Sequence, residues 1–427
     1  MLDIKFIREN SDIVKKAAGK KNVSVDIDAL ISLDNERITL QQHIDEIRAK
    51  QNLVSKRIPD LKTDAEKAEL IKSIGYYKND LKNLEQDLRE VMEKWRNLML
   101  QVPNIPDVSV PDGKSDASNQ EIKSWGEKPH FDFEPKDHVE LMLDLDMVDF
   151  ERGSKVHGFR GYFLKNNGAL LSWAIWNYAR DFFGKKNFQH MIAPIIARPE
   201  HFFGTGHLPN DADDLYITQD NDYLAGTAEV PTMGYHSNET LDASELPKKY
   251  LSFSPCYRRE AGSYGKDTKG LIRVHEFYKL EQVVLCEASH EESVHWHETL
   301  NRNTEEFIES LNIPYRTVLN CGGDLGLGQV KKYDIELWVP GEEKYREISS
   351  ASYFHDFQAR RFNISYKDKE GKKRFVHSLN STAIPTPRIL VSLVENFQQA
   401  DGTIQIPSVL VPYLGKETIS KNTKHTL

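Results

Sequence analysis

The densest run of chemically useful side chains in this 427-residue chain is RREAGSYGKDTKGLIRVHEF, residues 258–277. It carries five basic and three acidic side chains, three glycines and a phenylalanine. Guanidinium groups pair with phosphate oxygens, a carboxylate can accept a hydrogen bond from an exocyclic amine, and an aromatic ring can stack under a purine. These residue types together suit a nucleotide. A solvated hairpin without chemical function is the alternative for the stretch taken alone.

Two predicted strands hold this stretch. YLSFSPCYRRE and VHEFYKLEQVVL are rich in aromatic and β-branched residues, and the glycine-spaced AGSYGKDTKGLI between them predicts a long hairpin loop. Side chains alternate between the two faces of a strand, so Arg258 and Glu260 are predicted to point the same way. The same spacing predicts a common direction for Arg273, His275 and Phe277.

Two heptad runs occupy the N-terminal part of the chain. The first has seam positions Leu33, Leu40, Ile47 and Val54, with Arg37, Ile44, Gln51 and Ile58 at the complementary offset. The second alternates four and three residues apart through Leu70, Ile74, Tyr77, Leu81, Leu84, Leu88, Val91, Trp95 and Leu98. Pro59 should end the first helix, and Thr63 or Asp64 can cap the second. The pattern predicts an antiparallel helical hairpin with arms of roughly 40–50 Å.

The rest of the chain mixes strand and helix patterns. Strand-type runs such as YDIELWVP stand among helical stretches at 168–183, 291–311 and 387–399, which predicts an α+β domain with a mostly antiparallel sheet flanked by helices. Composition places a Pro-, Asp- and Ser-rich linker after the hairpin. The predicted organisation is a helical domain, a linker, a catalytic domain and a polar tail, at residues 1–104, 105–130, 131–415 and 416–427 respectively.

Composition excludes several classes of protein. A net charge of -9 argues against non-specific coating of nucleic acid, but it does not exclude a local basic surface on an acidic body. The three cysteines lie far apart without a CxxC pair, so neither a disulfide framework nor structural zinc is indicated. No run of 18 apolar residues occurs, and no signal peptide is apparent. We therefore expect a cytoplasmic protein without a membrane span.

The stretch at 258–277 resembles the second signature motif of class II aminoacyl-tRNA synthetases, an Arg-x-Glu strand followed by a loop and Arg-xxx-Phe. A third motif is matched by LNSTAIPTPRILVSLVEN with Arg388, and a first motif by FQHMIAPIIARPEHFFGTGHLP with Pro194. With the helical hairpin and the segments TAEVP, YDIELWVPG, EISS and FQARR, the chain to about residue 415 resembles the bacterial type of seryl-tRNA synthetases. Any one motif is weak, whereas their order and spacing are specific.

The resemblance implies attack of a serine carboxylate on the α-phosphate of ATP, followed by transfer of the seryl group to the 3′ end of tRNA(Ser). It assigns catalytic roles to Arg258, Glu260 and Arg388. The implied ATP-binding residues are Arg258, Glu260, Arg273, Phe277, Glu347, Ile348, Ser349, Ser350 and Arg388. Arg258 would hold the α-phosphate, and Phe277 would stack on adenine. Glu347 and Ser350 would bind Mg²⁺ through oxygen ligands, and no zinc is implied.

For the amino acid, the resemblance implies a pocket made of Thr227, Glu229, Arg258, Glu281, Asn380 and Thr382. A small pocket with buried hydrogen-bonding groups can require a hydroxyl, because an analogue without it leaves those groups unpaired. Thr382 stands where serine is commoner, and Pro385 and Pro387 stiffen the approach to Arg388. None of these departures removes a charged group.

The resemblance further implies a homodimer, and a hairpin that reaches the long variable arm of tRNA(Ser). Three alternatives remain at the level of sequence. One is an enzyme that activates an amino acid but loads a different acceptor, although such a relative should lack the hairpin. Another is a catalytically silent scaffold, and the third is a class II enzyme for another amino acid such as threonine. The phosphate-binding arginines argue against the scaffold, and the lack of zinc ligands argues against threonine.

Overall fold

The computed structural model describes residues 1–60, 63–263 and 265–421. Two compact units are present, one formed by residues 1–19 with 23–103 and the other by residues 20–22 with the chain from 104 onward. Leu61 and Lys62 of the predicted hairpin turn lie outside the described residues. Tyr264 and the last six positions of the predicted polar tail do so as well.

The first unit is helical, as predicted. Its helices are α1 (Ile4–Glu9), α2 (Ser11–Lys20), α3 (Ile27–Arg57) and α4 (Asp64–Gln101). At about 1.5 Å per residue, the 31 residues of α3 and the 38 of α4 span roughly 46 and 57 Å. The predicted heptad positions are all buried or half-buried, and Ile44, Leu81 and Val91 are buried. Some residues outside the predicted seam are buried as well, namely Ile27, Leu30, Asp34 and Met99. The coiled-coil prediction is thus confirmed.

The ends of the two long helices follow the predicted signals. α3 ends at Arg57, and Pro59 lies in the short 3₁₀ turn that follows it. Thr63 is the N-cap of α4, and its hydroxyl accepts a hydrogen bond from the Glu66 amide at 3.4 Å. A side-chain oxygen in this position satisfies one of the amides that the first helical turn leaves without a partner.

The second unit is built on strands. In chain order they are β1 (Gln120–Trp125), β2 (Val148–Asp149), β3 (Phe163–Leu164), β4 (Gln189–Ile192), β5 (Ile196–Ala197), β6 (Tyr216–Ile217), β7 (Tyr223–Leu224), β8 (Thr240–Asp242), β9 (Lys248–Tyr257), β10 (Glu276–Cys286), β11 (Tyr315–Leu319), β12 (Lys331–Val339), β13 (Lys344–His355), β14 (Ser365–Lys367), β15 (Lys373–Phe375), β16 (His377–Thr386), β17 (Ile404–Gln405) and β18 (Thr418–Ile419). The main sheet has the order β1-β11-β12-β13-β16-β10-β9-β4. Its neighbouring strands pair antiparallel except for β4 and β9, which run parallel. The mostly antiparallel sheet was predicted correctly.

Strand β1 lies inside the segment predicted to be a linker. It pairs with β11 at one edge of the main sheet, so this part of the segment belongs to the second unit. Its residues QEIKSW are half-buried to exposed and carry charges, which is typical of an edge strand and hides it from a search for apolar alternation.

The second unit also contains helices. They are α5 (His138–Asp144), α6 (Phe150–His157), α7 (Asn167–Gly184), α8 (Pro199–Thr205), α9 (Glu229–Gly234), α10 (His290–Ser310), α11 (Phe357–Phe362), α12 (Arg388–Asn396) and α13 (Val411–Leu414). The predicted helices at 168–183, 291–311 and 387–399 correspond to α7, α10 and α12. Their apolar side chains, including Phe183, Phe307 and Leu390, join those of β10 and β16 in one buried cluster. Among the described residues, no helix is long and apolar enough to cross a bilayer.

Candidate active site

A cleft opens above the middle of the main sheet, where β10, β13 and β16 are neighbours. Most of the residues predicted to bind ATP line it, namely Arg258, Glu260, Phe277, Glu347, Ile348, Ser350 and Arg388. Arg273 and Ser349 are not on its wall. The Arg273 guanidinium is bound by carboxylates beside the cleft, and the Ser349 hydroxyl donates to the Thr382 carbonyl at 2.5 Å.

Arg258 lies just beyond the end of β9. Its backbone amide donates to the His275 carbonyl, and the His275 Nδ1 lies 3.0 Å from the Arg258 carbonyl, so the two residues hold each other across the base of the loop. The Arg258 guanidinium stands over the Phe277 ring, 5.3 Å from its centroid, and donates to the Gly226 carbonyl. Among the described residues, this guanidinium has one long hydrogen bond and one aromatic contact, so most of its donors are available to an anion.

The predicted alternation of Arg258 and Glu260 on one strand is wrong. Strand β9 ends at Tyr257, and Glu260 has a left-handed φ of +55°, which turns the chain into the loop. Its carboxylate instead accepts a hydrogen bond from Arg273 at 2.5 Å. Burial raises the pKa of Glu260, but the Arg273 hydrogen bond and the Arg258 charge more than offset this and lower it overall. Glu260 is therefore ionised at neutral pH.

Arg388 begins helix α12 and points into the cleft. Its Nε donates to the Ile272 carbonyl at 2.9 Å, and its Nη1 donates to the Glu347 carbonyl at 2.8 Å. Burial lowers the pKa of Arg388; Glu347 opposes this change, while the charges of Arg258 and Arg273 add to it. Like charges gathered in this way favour a polyanionic ligand, because such a ligand relieves their mutual repulsion.

The EISS segment, residues 347–350, lies within β13. The pairing of β12 with β13 shifts register there: Ile335 faces Ser349, whereas Glu336 faces Glu347, which leaves Ile348 as the extra residue. A bulge of this kind re-aims the flanking side chains. It lets Glu347, Ile348 and Ser350 all line the cleft.

These residues fit a magnesium ion by donor type. The Glu347 carboxylate and the Ser350 hydroxyl supply hard oxygen ligands on one wall of the cleft. Asp334 is the cross-strand partner of Ser350, and its buried Oδ1 has no hydrogen-bond partner in the part of the chain that the structure describes. Burial raises the pKa of Asp334, the charge of Lys332 opposes that rise, and Glu347 adds to it. A nearby cation would stabilise both carboxylates.

Five of the six residues predicted to bind serine are brought together in one buried pocket, and the sixth, Arg258, lines the cleft. Thr227, Glu229, Glu281, Asn380 and Thr382 are each at least nine-tenths buried. Glu281 is central: its Oε2 accepts from the hydroxyls of Thr227 and Thr382 at 3.5 and 3.3 Å. Thr382 also lines the phosphate cleft, so the pocket adjoins the arginines.

Glu229 is the second carboxylate of this pocket. Its Oε1 accepts a hydrogen bond from Gln358 at 2.7 Å. Burial raises the pKa of Glu229 to about 7; the Gln358 hydrogen bond opposes this rise, and the charge of Glu281 adds to it. Glu229 is therefore only partly ionised near neutral pH and is ready to receive a cation.

Two functional neighbours were missed from sequence. Lys279 lines the cleft, and its ammonium lies 2.6 Å from the Glu281 carboxylate. It alternates with Phe277 and Glu281 along β10, so the two-residue period could have found it. Gln358 lies in the quoted FQARR segment, but its distance in sequence from Glu229 gave no signal that the two side chains pair.

Comparisons with known proteins agree with this geometry. Residues 215–397 match the tRNA synthetase class II core domain (G, H, P, S and T), and residues 1–106 match the seryl-tRNA synthetase N-terminal domain. The chain thus contains the core of a class II aminoacyl-tRNA synthetase. It is 45% identical to a serine–tRNA ligase of Deinococcus radiodurans, over 97% of this chain and 98% of that protein.

Solved structures give the same result over the whole chain. The crystal structure of seryl-tRNA synthetase from Pyrococcus horikoshii complexed with ATP superposes with a TM-score of 0.90 at 39% identity, covering 99% of this chain and 100% of that one. A cytoplasmic serine–tRNA ligase of Naegleria fowleri in complex with AMP has a TM-score of 0.86 at 30% identity, with 99% of each chain covered. The chain belongs to the seryl-tRNA synthetase family.

Proposed function

We propose that this cleft carries out both half-reactions of a serine–tRNA ligase, with the residue roles set out below. In the first, a carboxylate oxygen of L-serine attacks the α-phosphorus of ATP, and the bond to the β-phosphate oxygen breaks to release pyrophosphate. In the second, a hydroxyl of the terminal ribose of tRNA(Ser) attacks the seryl carbonyl and AMP leaves. The observation that carries the proposal is that Thr382 belongs both to the arginine-lined cleft and to the buried pocket around Glu281.

The nucleophile in each step belongs to a substrate, so the protein supplies alignment and charge. Arg258 holds the α-phosphate, and the Phe277 ring beneath its guanidinium accepts the adenine. Arg273 and Arg388 hold the β- and γ-phosphates. In the free protein Glu260 neutralises Arg273, and on ATP binding it contacts the adenine amino group. Ile348 completes the nucleotide wall.

The serine pocket recognises the ammonium group and the hydroxyl group of the substrate. Glu229 and Glu281 provide negative charge for the ammonium, while Thr227, Asn380 and Thr382 provide hydrogen bonds. Arg258 neutralises the serine carboxylate and brings it to the α-phosphate. An amino acid without the hydroxyl would leave buried polar groups unpaired, which is the strongest form of discrimination open to a small pocket.

Mg²⁺ would be held by Glu347 and Ser350, which both line the cleft and supply oxygen donors. When bound there, the ion neutralises phosphate charge and supports departure of pyrophosphate. Arg388 reinforces this wall because its Nη1 fixes the Glu347 carbonyl. The long helices α3 and α4 bind tRNA(Ser), and the organisation into domains at 1–104 and 131–415 serves this division of tasks.

An exposed apolar groove supports a homodimer. It lies beside edge strand β4 and helix α7, and it is lined by Trp173 and Ile192, whose exposed fractions are 63% and 85%. An unpaired strand edge with large apolar side chains is a surface that proteins normally cover. A second copy of the chain is the proposed occupant. The three cysteines are free and buried, in keeping with the proposed cytoplasmic location.

The experiment that tests this function is amino-acid-dependent exchange of pyrophosphate into ATP with Mg²⁺, across all twenty amino acids. Exchange with serine alone is expected, and Arg258→Ala should abolish it while circular dichroism stays unchanged. Exchange with another amino acid would overturn the specificity. A well-folded protein without exchange would favour the scaffold, and exchange without transfer to tRNA(Ser) would favour a different acceptor.

A further inference from the structure

A buried histidine lies next to the nucleotide cleft without belonging to its wall. His138 is the first residue of α5 and is 5% exposed. Its Nδ1 lies 2.8 Å from Oε1 of Glu395, a fully buried carboxylate near the end of α12. Its Nε2 accepts a hydrogen bond from the Leu271 amide at 3.2 Å. None of the roles assigned above uses this histidine.

Hydrogen bonding fixes the state of the ring. A carboxylate can only accept hydrogen bonds, so Nδ1 must carry a proton and donate to Glu395. A backbone N–H can only donate, so Nε2 must accept the hydrogen bond from Leu271 with its lone pair. The neutral Nδ1-protonated imidazole alone satisfies both partners, because a proton on Nε2 would face the amide proton of Leu271.

The carboxylate is itself held firmly. Oε1 of Glu395 also accepts from the His138 backbone amide at 2.8 Å, and Oε2 accepts from the Gly341 amide at 2.8 Å. At the other end of the ring, a Cβ on Gly270 would lie 2.1 Å from Nε2 of His138, and Gly270 has a φ of +78°. Only glycine lets the loop approach the histidine this closely.

The loop held in this way is the one that carries the nucleotide residues. Leu271 and Ile272 line the cleft, and the Ile272 carbonyl is the acceptor for Nε of Arg388. Helix α12 therefore reaches the end of the loop twice. Arg388 does so directly at its first turn, and Glu395 does so through His138, two turns later along the same helix.

We propose that His138 is a positioning residue for adenylate formation, which rests on the function proposed above. Through the Glu395–His138–Leu271 connection, His138 fixes the C-terminal end of the 258–273 loop. The Ile272 carbonyl is then held where it orients Arg388, and the backbone of Arg273 is held in position. The ring touches neither ATP nor serine. His138 therefore affects the binding of ATP, because the loop contacts the nucleotide. It does not affect the serine pocket.

Two substitutions separate the halves of this connection. In His138→Gln, the side-chain carbonyl oxygen can take the place of Nε2 and still accept from the Leu271 amide. In His138→Asn, the amide nitrogen can take the place of Nδ1 and donate to Glu395, but nothing reaches Leu271. We expect His138→Asn to raise the KM for ATP in serine-dependent exchange at least tenfold, with the KM for serine within about twofold of the unaltered protein. His138→Gln should restore the KM for ATP to within about threefold.

Amide hydrogen exchange of the peptide containing Leu271 gives a second readout that does not depend on activity. Exchange at this amide should be at least tenfold faster in His138→Asn than in His138→Gln. If His138 is purely structural, both variants should lose thermal stability and activity together, without a separate effect on the KM for ATP. That result would overturn the proposal. Equal amide exchange in the two variants would also overturn it. Failure of the unaltered protein to exchange pyrophosphate would refute the proposed function instead.

Discussion

The ammonium of Lys279 lies 2.6 Å from the carboxylate of Glu281, and both side chains are more than nine-tenths buried. The same carboxylate oxygen accepts from Thr227 and Thr382, so one buried anion organises a cation and two hydroxyls. Removing two charges from water is costly, and their attraction offsets that cost only while both are present. The pair therefore sets the charge of the amino-acid pocket, in which Glu229 is the second carboxylate.

Replacing Lys279 by methionine should therefore be more damaging than replacing both partners. Lys279→Met leaves Glu281 buried without its cation, which should lower the free energy of unfolding by about 3 kcal/mol. The double variant Lys279→Met/Glu281→Gln removes both charges and should recover most of that loss, yet it should stay inactive with serine. Urea unfolding and serine-dependent exchange measure the two effects. A double variant less stable than Lys279→Met would contradict this account.

The raised pKa of Glu229 predicts that the stability of the protein depends on pH. Burial raises its pKa from an ordinary 4.5 to about 7, so between these values the folded state holds a proton that the unfolded state has lost. Stability should therefore fall as pH rises from about 4.5 to 7, by about 3 kcal/mol in total. Glu229→Gln should be less sensitive to pH by that amount. Urea midpoints at pH 5 and pH 7.5 for both proteins test this, and parallel curves would show that Glu229 titrates normally.

Sequence patterns predicted features that repeat or stay local. The seam of α3 and α4 follows from heptads, and the cap at Thr63 follows from residue type, because each depends on neighbours along one helix. Convergence of the serine pocket could be expected only through resemblance, since Thr227, Glu281 and Thr382 come from distant segments. Spacing alone could not have placed them together.

Sequence reasoning failed where the backbone leaves a regular state. The left-handed Glu260 and the extra residue Ile348 both break the two-residue alternation from which side-chain directions were predicted. Both lie on the wall of the nucleotide cleft. A bulge and a positive φ are set by long-range pairing, and neither Glu nor Ile favours them locally. Functional sites are where such departures are expected.

Lysine should not be able to replace Arg388 in ATP binding. Its Nε and Nη1 donate to two different carbonyls, those of Ile272 and Glu347, and a single ammonium cannot reproduce this fork. We expect Arg388→Lys to raise the KM for ATP at least tenfold, while serine affinity changes by less than about twofold. Steady-state exchange with varied ATP measures this. Arg259→Lys is the matched control, because Arg259 is exposed and lies off the cleft wall. Equal effects of the two substitutions would remove the assigned role of Arg388.

The groove beside β4 predicts which surface substitutions dissociate the dimer. Ile192→Lys places a charge on the unpaired strand edge and should shift the sedimentation coefficient toward that of a monomer. Ile217→Lys is the control, since Ile217 is 58% exposed but does not line the groove. Sedimentation velocity at micromolar concentration compares the two. A dimer that survives Ile192→Lys and dissociates with Ile217→Lys would move the interface elsewhere.

The helical hairpin should matter for tRNA and not for serine activation, because none of the predicted ATP or serine residues lies in the first unit. Deleting residues 33–98 should keep pyrophosphate exchange within about threefold and reduce charging of tRNA(Ser) by at least a hundredfold. A shorter variant tests the same point with more of the unit kept: replacing residues 49–84 by a glycine-rich turn joins the helices where Arg48 pairs with Glu85 at 2.8 Å. If the tip of the hairpin contacts tRNA, this variant loses charging as well. Full charging by both variants would show that the hairpin does not bind tRNA, and loss of exchange in both would show that the first unit supports the catalytic domain itself.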